Sequence, residues 1–284
     1  MKNIIVGLGE ILWDLFSDQK VLGGAPANFA YNVSHLGYEG YVVSSIGNDT
    51  LGNEIISSLK EKNLNYLFDI TDYPTGTVNV ALNDYGVPQY EIVENVAWDN
   101  IHFNKEMEDL ARNTSAVCFG TLAQRSVVSR NTIRKFLNTV PDNCIKIFDI
   151  NLRQNFYNYS IINESLEIAN ILKLNDDEIH ILADLNNMKE MSEQEICLEL
   201  KEKFSLDIVI LTKGADGSFV FTAEEISFKP TPKVKVIDTV GAGDSFTAAF
   251  TVAYLNGNSI NEAHESAVKV SAFVCQQQGG MPGY

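Results

Sequence analysis

The stretch Asp238-Thr239-Val240-Gly241-Ala242-Gly243-Asp244-Ser245 stands directly ahead of an apolar series, Phe246, Phe250, Ala253 and Tyr254. Spacing of three and four predicts a helix with that series on one face and Gly257 as its stop. Closely spaced glycines let backbone approach a ligand, and first-turn N–H groups lack intrahelical partners and carry the positive end of the helix dipole. Gly241, Ala242 and Gly243 therefore form a site suited to phosphate oxygens. Asp244 would repel a phosphate unless its carboxylate were aimed at something else, such as a hydroxyl proton. An Asp beside an anion hole is what phosphoryl transfer to an alcohol needs. The same residue types also cap ordinary helices, so this stretch alone leaves both readings open.

A second motif narrows the choice. Leu22-Gly23-Gly24-Ala25-Pro26-Ala27-Asn28-Phe29 leads into a helix with Phe29, Val33 and Leu36 on one face and Gly37 as its stop. Pro26 suits a first turn, the glycine pair permits close backbone approach, and Asn28 offers an amide to sugar hydroxyls or to a structural partner. Asp14 follows the first strand, where ligands collect in open α/β sheets. It reads as a cap or as an acceptor for two hydroxyls. Asp149-Ile150-Asn151-Leu152-Arg153 leaves a strand with a carboxylate and a guanidinium near one rim, the latter able to meet a phosphate or pair with an acid. Asn175 and Glu178 are hard oxygen groups able to hold hydrated Mg²⁺, and equally resemble a capping box. Thr212-Lys213-Gly214-Ala215-Asp216-Gly217 is a glycine turn fit for nucleotide contacts.

These residues need a scaffold. Short apolar runs at Ile4–Leu8, Ala116–Phe119, Ile145–Phe148 and Ile208–Leu211 alternate with amphipathic helical segments, as strands buried on both faces of a parallel sheet do. From Thr75 to Trp98 the period changes to two, with a turn at Asn83-Asp84-Tyr85-Gly86, which predicts a hairpin with one wet face standing off the main sheet. Trp13, Phe16, Tyr85, Tyr90 and Trp98 are candidates to cover a substrate there or simply to pack. A two-stranded ribbon with an apolar face is marginal alone, which allows a homodimer through this lid.

Composition excludes several classes. The 284 residues carry a net charge of −16, with no basic cluster, which disfavours nucleic acid as a partner. No apolar run approaches the roughly 20 residues of a membrane span, and no signal peptide is evident, so a cytoplasmic location is expected. Cys118, Cys144, Cys197 and Cys275 are too dispersed for a zinc site or disulfide framework. Gly7-Leu8-Gly9 lacks the third glycine of a dinucleotide fingerprint, and no Gly-Lys-Ser/Thr phosphate loop occurs.

Taken together, the two glycine motifs, with Asp149-x-Asn151-x-Arg153, Asn175-x-x-Glu178 and Thr212-x-Gly214 in order between them, resemble the ribokinase-like (PfkB) carbohydrate kinases. Gly9-Glu10-Ile11-Leu12-Trp13-Asp14 is most similar to the wording of bacterial fructokinases within that family. The resemblance implies one domain over residues 1–284, a three-layer α/β/α fold with a mostly parallel central sheet and a β lid from about residues 12–22 and 74–99. It implies ATP-dependent phosphorylation of a sugar hydroxymethyl, with Asp244 as base and Gly241, Ala242 and Gly243 as anion hole. Asp14, Gly23, Gly24, Asn28 and Arg153 would then hold the sugar, and Asn175, Thr212, Gly214, Gly217 and Gly243 would line the nucleotide. Asn175 and Glu178 would position Mg²⁺ through water, and Asp238 matches one ligand of a monovalent cation such as K⁺. Ribose, a nucleoside or 2-keto-3-deoxygluconate are alternative substrates, and a non-catalytic sensor would be expected to lose the base or the anion hole. An unphosphorylated hexose is favoured because Thr75 to Trp98 contains no Lys or Arg and Glu10 to Asn28 contains only Lys20, leaving a second phosphate without compensation.

Overall fold

Alternate residues of the central strands belong to different layers, and that alternation organises the molecule. The protein, described by a computed structural model over residues 4–82 and 88–284, begins with β1 (Ile4–Leu8), β2 (Leu12–Leu15), β3 (Lys20–Gly23), α1 (Ala25–His35), β4 (Glu39–Gly47), α2 (Thr50–Glu61) and β5 (Asn65–Thr71). The chain continues through β6 (Thr77–Leu82), β7 (Pro88–Ile92), α3 (Lys105–Ala111), β8 (Thr114–Phe119), α4 (Val127–Leu137), β9 (Ile145–Asp149) and α5 (Tyr159–Leu166). It closes with β10 (Ile171–Asn175), α6 (Asp176–Asn186), α7 (Glu193–Lys203), β11 (Ile208–Thr212), β12 (Ser218–Phe221), β13 (Ile226–Lys229), α8 (Ala242–Leu255) and α9 (Ile260–Val274).

The large sheet has nine strands in the order β13-β12-β11-β10-β9-β8-β1-β4-β5. From β11 to β5 every neighbouring pair is parallel, while β12 and β13 add an antiparallel edge. On one face Val6, Leu8, Val117, Phe119, Phe148, Leu172, Leu174 and Leu211 pack with buried residues of α3, α4, α5, α6 and α7. On the other, Ile5, Cys118, Ile147, Ile171 and Ile210 meet Phe29, Phe246, Phe250, Ala263 and Ala267 from α1, α8 and α9. The predicted apolar runs thus become strands covered on both faces, each residue assigned to a layer by the period of two.

The lid is larger than a hairpin. β6 and β7 pair antiparallel, and β2 joins β6 in parallel while pairing antiparallel with β3, giving a four-stranded sheet β3-β2-β6-β7. The turn assigned to Asn83–Gly86, with Tyr85, lies outside the described residues. Two proposed lid aromatics are packing residues instead. Trp98 is fully buried beneath the Arg125 guanidinium, which stacks 4.0 Å from its ring. Trp13 is 6% exposed and donates its indole N–H to Leu51 O at 3.1 Å. Among the described candidates, Phe16 and Tyr90 are exposed, at 37% and 57%. The segment after β7 turns back into the main core, where Asp99 forms a buried ion pair with Arg125.

Candidate active site

The α8 N-terminus forms as its sequence predicts. Gly241 is the N-cap with φ +75°, a left-handed conformation that glycine adopts without strain. Ala242 N–H donates to Thr239 O at 3.2 Å and Ser245 N–H to Gly241 O at 2.8 Å. Among the described residues, the N–H groups of Gly241, Gly243 and Asp244 have no acceptor. Of the expected Gly241-Ala242-Gly243 triplet, Ala242 spends its amide on the turn into the helix, while Gly241 and Gly243 keep theirs free to meet an anion.

Asp244 is half-buried at this helix end, and its Oδ2 accepts the Asn28 side-chain amide at 2.8 Å. The amide expected to face sugar hydroxyls is thus engaged with the candidate base. Burial raises the Asp244 carboxyl to about 6, nearby Asp149 reinforces the shift, and Asn28, Lys173 and Arg153 oppose it. Asn28 is held on its far side by the C-terminal segment. A Cβ on Gly280 would lie 2.6 Å from the Asn28 amide carbon, and one on Gly241 would lie 2.3 Å from Gly280 Cα. Asp238 ties this segment down, accepting from Val240 N–H at 3.0 Å and Gly279 N–H at 2.9 Å. Asn32 Nδ2 donates to Gly280 O at 3.1 Å, locking the segment to α1.

Asp14 lies on β2 opposite Val21, and its carboxylate reaches diagonally to Gly23, where a Cβ would come within 2.7 Å of Asp14 Oδ2. Burial raises its carboxyl to about 6, against the attraction of Arg153. Gly24, at φ +113°, starts α1 and passes so close to Glu10 O that a Cβ would stand 2.5 Å from it. Arg153 is exposed, and its positive charge opposes the upward shifts of Glu10, Asp14 and Asp244. The neighbouring Gln154 donates to Tyr90 O at 2.7 Å and ties this loop to the lid.

Three residues that sequence reasoning did not assign complete the cluster. Glu10, buried, is raised to about 7 by its burial, opposed by backbone N–H groups and Arg153 and reinforced by Asp244. Asp149 and Lys173 are register partners on β9 and β10, both on the α8 side of the sheet, and form a buried ion pair at 3.1 Å. Burial pulls the Lys173 ammonium down, yet Asp149, Glu178 and Asp244 outweigh it and hold it above its usual value. Its signal in the sequence was a single cation inside the run Ile171-Leu172-Lys173-Leu174, which a strand covered on both faces cannot bury without a partner. Glu10, Phe29, Cys118, Asp149, Asn151 and Asp244 line one cavity at the carboxyl ends of β1, β8 and β9.

Asn175 and Glu178 form a capping box. Asn175 Oδ1 accepts from Asp177 and Glu178 N–H at 3.0 and 2.9 Å, while Glu178 accepts from Asn175 N–H and from Leu152 N–H, both at 2.8 Å. Thr212 is the register partner of Asn175 on the adjoining strand, which brings these two nucleotide candidates together. Gly214 and Gly217 follow in the turn into β12, at φ +49° and +110°, with Lys213 N–H closing the turn on Gly217 O at 2.8 Å.

A half-buried Asp beside free helix N-terminal amides, at the carboxyl edge of a parallel α/β sheet roofed by a small lid, is the arrangement of a kinase for small alcohols. Residues 9–283 match the description pfkB family carbohydrate kinase, and the chain belongs to that family. A sugar kinase of Pyrococcus horikoshii is 28% identical over 298 residues, covering 98% of this chain and 91% of its own. Its crystal structure superposes with a TM-score of 0.83, covering 98% of this chain and 94% of that one. An ATP-dependent 6-phosphofructokinase of Thermoanaerobacterium thermosaccharolyticum is 27% identical over 303 residues, 99% of this chain and 90% of that protein. A fructokinase of Escherichia coli is 26% identical over 256 residues, 85% of this chain and 81% of that protein.

Proposed function

We propose that the protein transfers the γ-phosphoryl group of ATP to a hydroxymethyl group of an unphosphorylated sugar, fructose foremost, with Asp244 as the general base. The observation that carries the reading is the Asp244 carboxylate, fixed by Asn28 beside the unsatisfied N–H groups of the α8 N-terminus. The carboxylate accepts the proton of the attacking hydroxyl while those amides stabilise charge on the equatorial oxygens of the phosphoryl in flight. Asp14 and Arg153 hold the sugar through its other hydroxyls. ATP lies along Thr212 and Gly214, with Asn175 at the adjoining strand end. A sugar kinase of Pyrococcus horikoshii solved with ATP, 26% identical, supports the nucleotide assignment.

Asn175 and Glu178 suit Mg²⁺ only through water. Glu178 spends one lone pair of each oxygen on a backbone N–H, and its remaining pairs accept from metal-bound water. Asn175 Oδ1 accepts two N–H groups and is left to orient the capping box. When bound, Mg²⁺ neutralises charge on the triphosphate. Asp238, whose two oxygens each accept one N–H, retains lone pairs for K⁺. A homodimer through the lid fits the exposed Phe16 and Tyr90.

The preference for an unphosphorylated sugar rests on how the basic side chains are spent. Arg125 is paired with buried Asp99, Arg130 donates to Gln124 O at 2.9 Å, and Lys20 pairs with Glu54. Arg153 is exposed and makes only a local bond, to Leu152 O at 3.2 Å, among the described residues, and with the 6-phosphofructokinase relative it supports a phosphosugar as the second reading. A coupled ATP assay over fructose, ribose, adenosine, 2-keto-3-deoxygluconate and the two fructose phosphates separates them. A higher kcat/KM for fructose 1-phosphate or 6-phosphate than for fructose overturns the first reading.

A further inference from the structure

Lys173 faces the same layer as Ile171, toward α8, and its ammonium reaches the underside of the anion hole. A Cβ on Gly243 would lie 2.9 Å from Lys173 Nζ, so the cation sits directly against the backbone that carries one of the unsatisfied N–H groups. It is held there from below. Asp149 Oδ1 accepts from Nζ at 3.1 Å, and the single Thr247 hydroxyl hydrogen lies between two acceptors, Asp149 Oδ2 at 3.3 Å and Gly243 O at 3.0 Å. The series Lys173, Asp149, Thr247, Gly243 links two strands to the first turn of α8.

A buried ion pair costs several kcal/mol per ion in desolvation, and apolar residues of similar volume are often as stable. Simple packing therefore does not account for a cation here, where Ile171 and Ile147 fill the equivalent positions one layer down. What a charge adds is a fixed positive potential at the place where negative charge gathers during transfer. Asp149 accepts one of the three ammonium hydrogens, which leaves two for other acceptors.

We propose that Lys173 is a positioning residue of the phosphoryl-transfer site, braced by Asp149 so that its ammonium fixes the first turn of α8 and adds positive charge beneath the transferring phosphoryl group. The inference rests on the assignment of Asp244 and the anion hole made above. It also gives Gly243 a reason: any side chain there would displace the ammonium.

The test compares Lys173→Met with the double variant Asp149→Asn/Lys173→Met, which removes the pair and leaves no uncompensated buried charge. Calorimetry measures ADP alone and ADP with orthovanadate, a mimic of the phosphoryl in flight. Losing a supporting partner of a reactive site typically costs about 10- to 100-fold. Both variants are expected to lose that factor in kcat and in orthovanadate affinity while ADP affinity and KM for ATP stay near wild type, the double variant also keeping its thermal midpoint. A double variant that regains wild-type kcat, or that weakens ADP alone as much as ADP with orthovanadate, overturns the proposal, since a structural brace would behave so. If Asp244→Asn retains turnover while Lys173→Met loses orthovanadate binding, the base assignment fails and the placement of Lys173 stands.

Discussion

Asn28 donates its side-chain amide to Asp244 Oδ2 at 2.8 Å across a separation of 216 residues. The two glycine motifs of the chain thus meet at one hydrogen bond: the first turn of α1 orients the carboxylate that begins α8. Removing the proton acceptor while keeping its shape, Asp244→Asn, is expected to lower kcat by ~10²-fold or more and to spare ATP affinity. Turnover close to wild type would remove Asp244 from the role of base.

The acid limb of activity follows from the same carboxylate. With the Asp244 carboxyl at about 6, kcat/KM is expected to fall as pH drops through that region, because the base becomes protonated. Stability runs the other way. The folded values of Glu10, Asp14 and Asp244, about 7, 6 and 6, exceed their ordinary values of 4.5, 3.8 and 3.8. Their favourable contribution is full below about 4 and is lost as pH rises through 6 to 7. The ligand-free enzyme is thus expected to gain less stability between pH 5 and 7 than Asp244→Asn does. Thermal midpoints with the same pH slope in both proteins would contradict this.

Asp14 sits at the lid and not at the nucleotide side. Asp14→Ala is expected to weaken sugar binding with little change in ATP affinity, since its carboxylate meets hydroxyls in ground and transition states alike. Calorimetry showing weaker ATP binding and unchanged sugar binding would relocate it.

Gly280 offers a test of the wall behind Asn28. A methyl group there meets the Asn28 amide at 2.6 to 2.7 Å, so Gly280→Ala must move the group that orients the base. Displacing catalytic geometry by ~1 Å can cost ~10²-fold. A loss of that order in kcat is expected for Gly280→Ala, against none for Gly283→Ala, whose Cβ would meet nothing within 4 Å. Equal activity of the two variants would detach the C-terminal segment from catalysis.

The sequence by itself determined the local pieces: the strands, because apolar runs such as Ile208–Leu211 suit burial on both faces, and the α8 N-terminus, because Gly241, at φ +75°, takes a left-handed backbone that few other residues permit. It also marked Asp244, through the placement of a carboxylate where an anion is welcome. Only the tertiary structure decided what each side chain touches. It turned Asn28 toward Asp244, made Trp98 a core residue under Arg125, joined the two lid segments into one four-stranded sheet by pairing β2 with β6, and set Lys173 against Gly243. The reason is physical. Helix starts and strand periods arise from neighbours in the chain, whereas a buried charge or amide is defined by its partner, and for Lys173 and Asp149 that partner arrives from another strand.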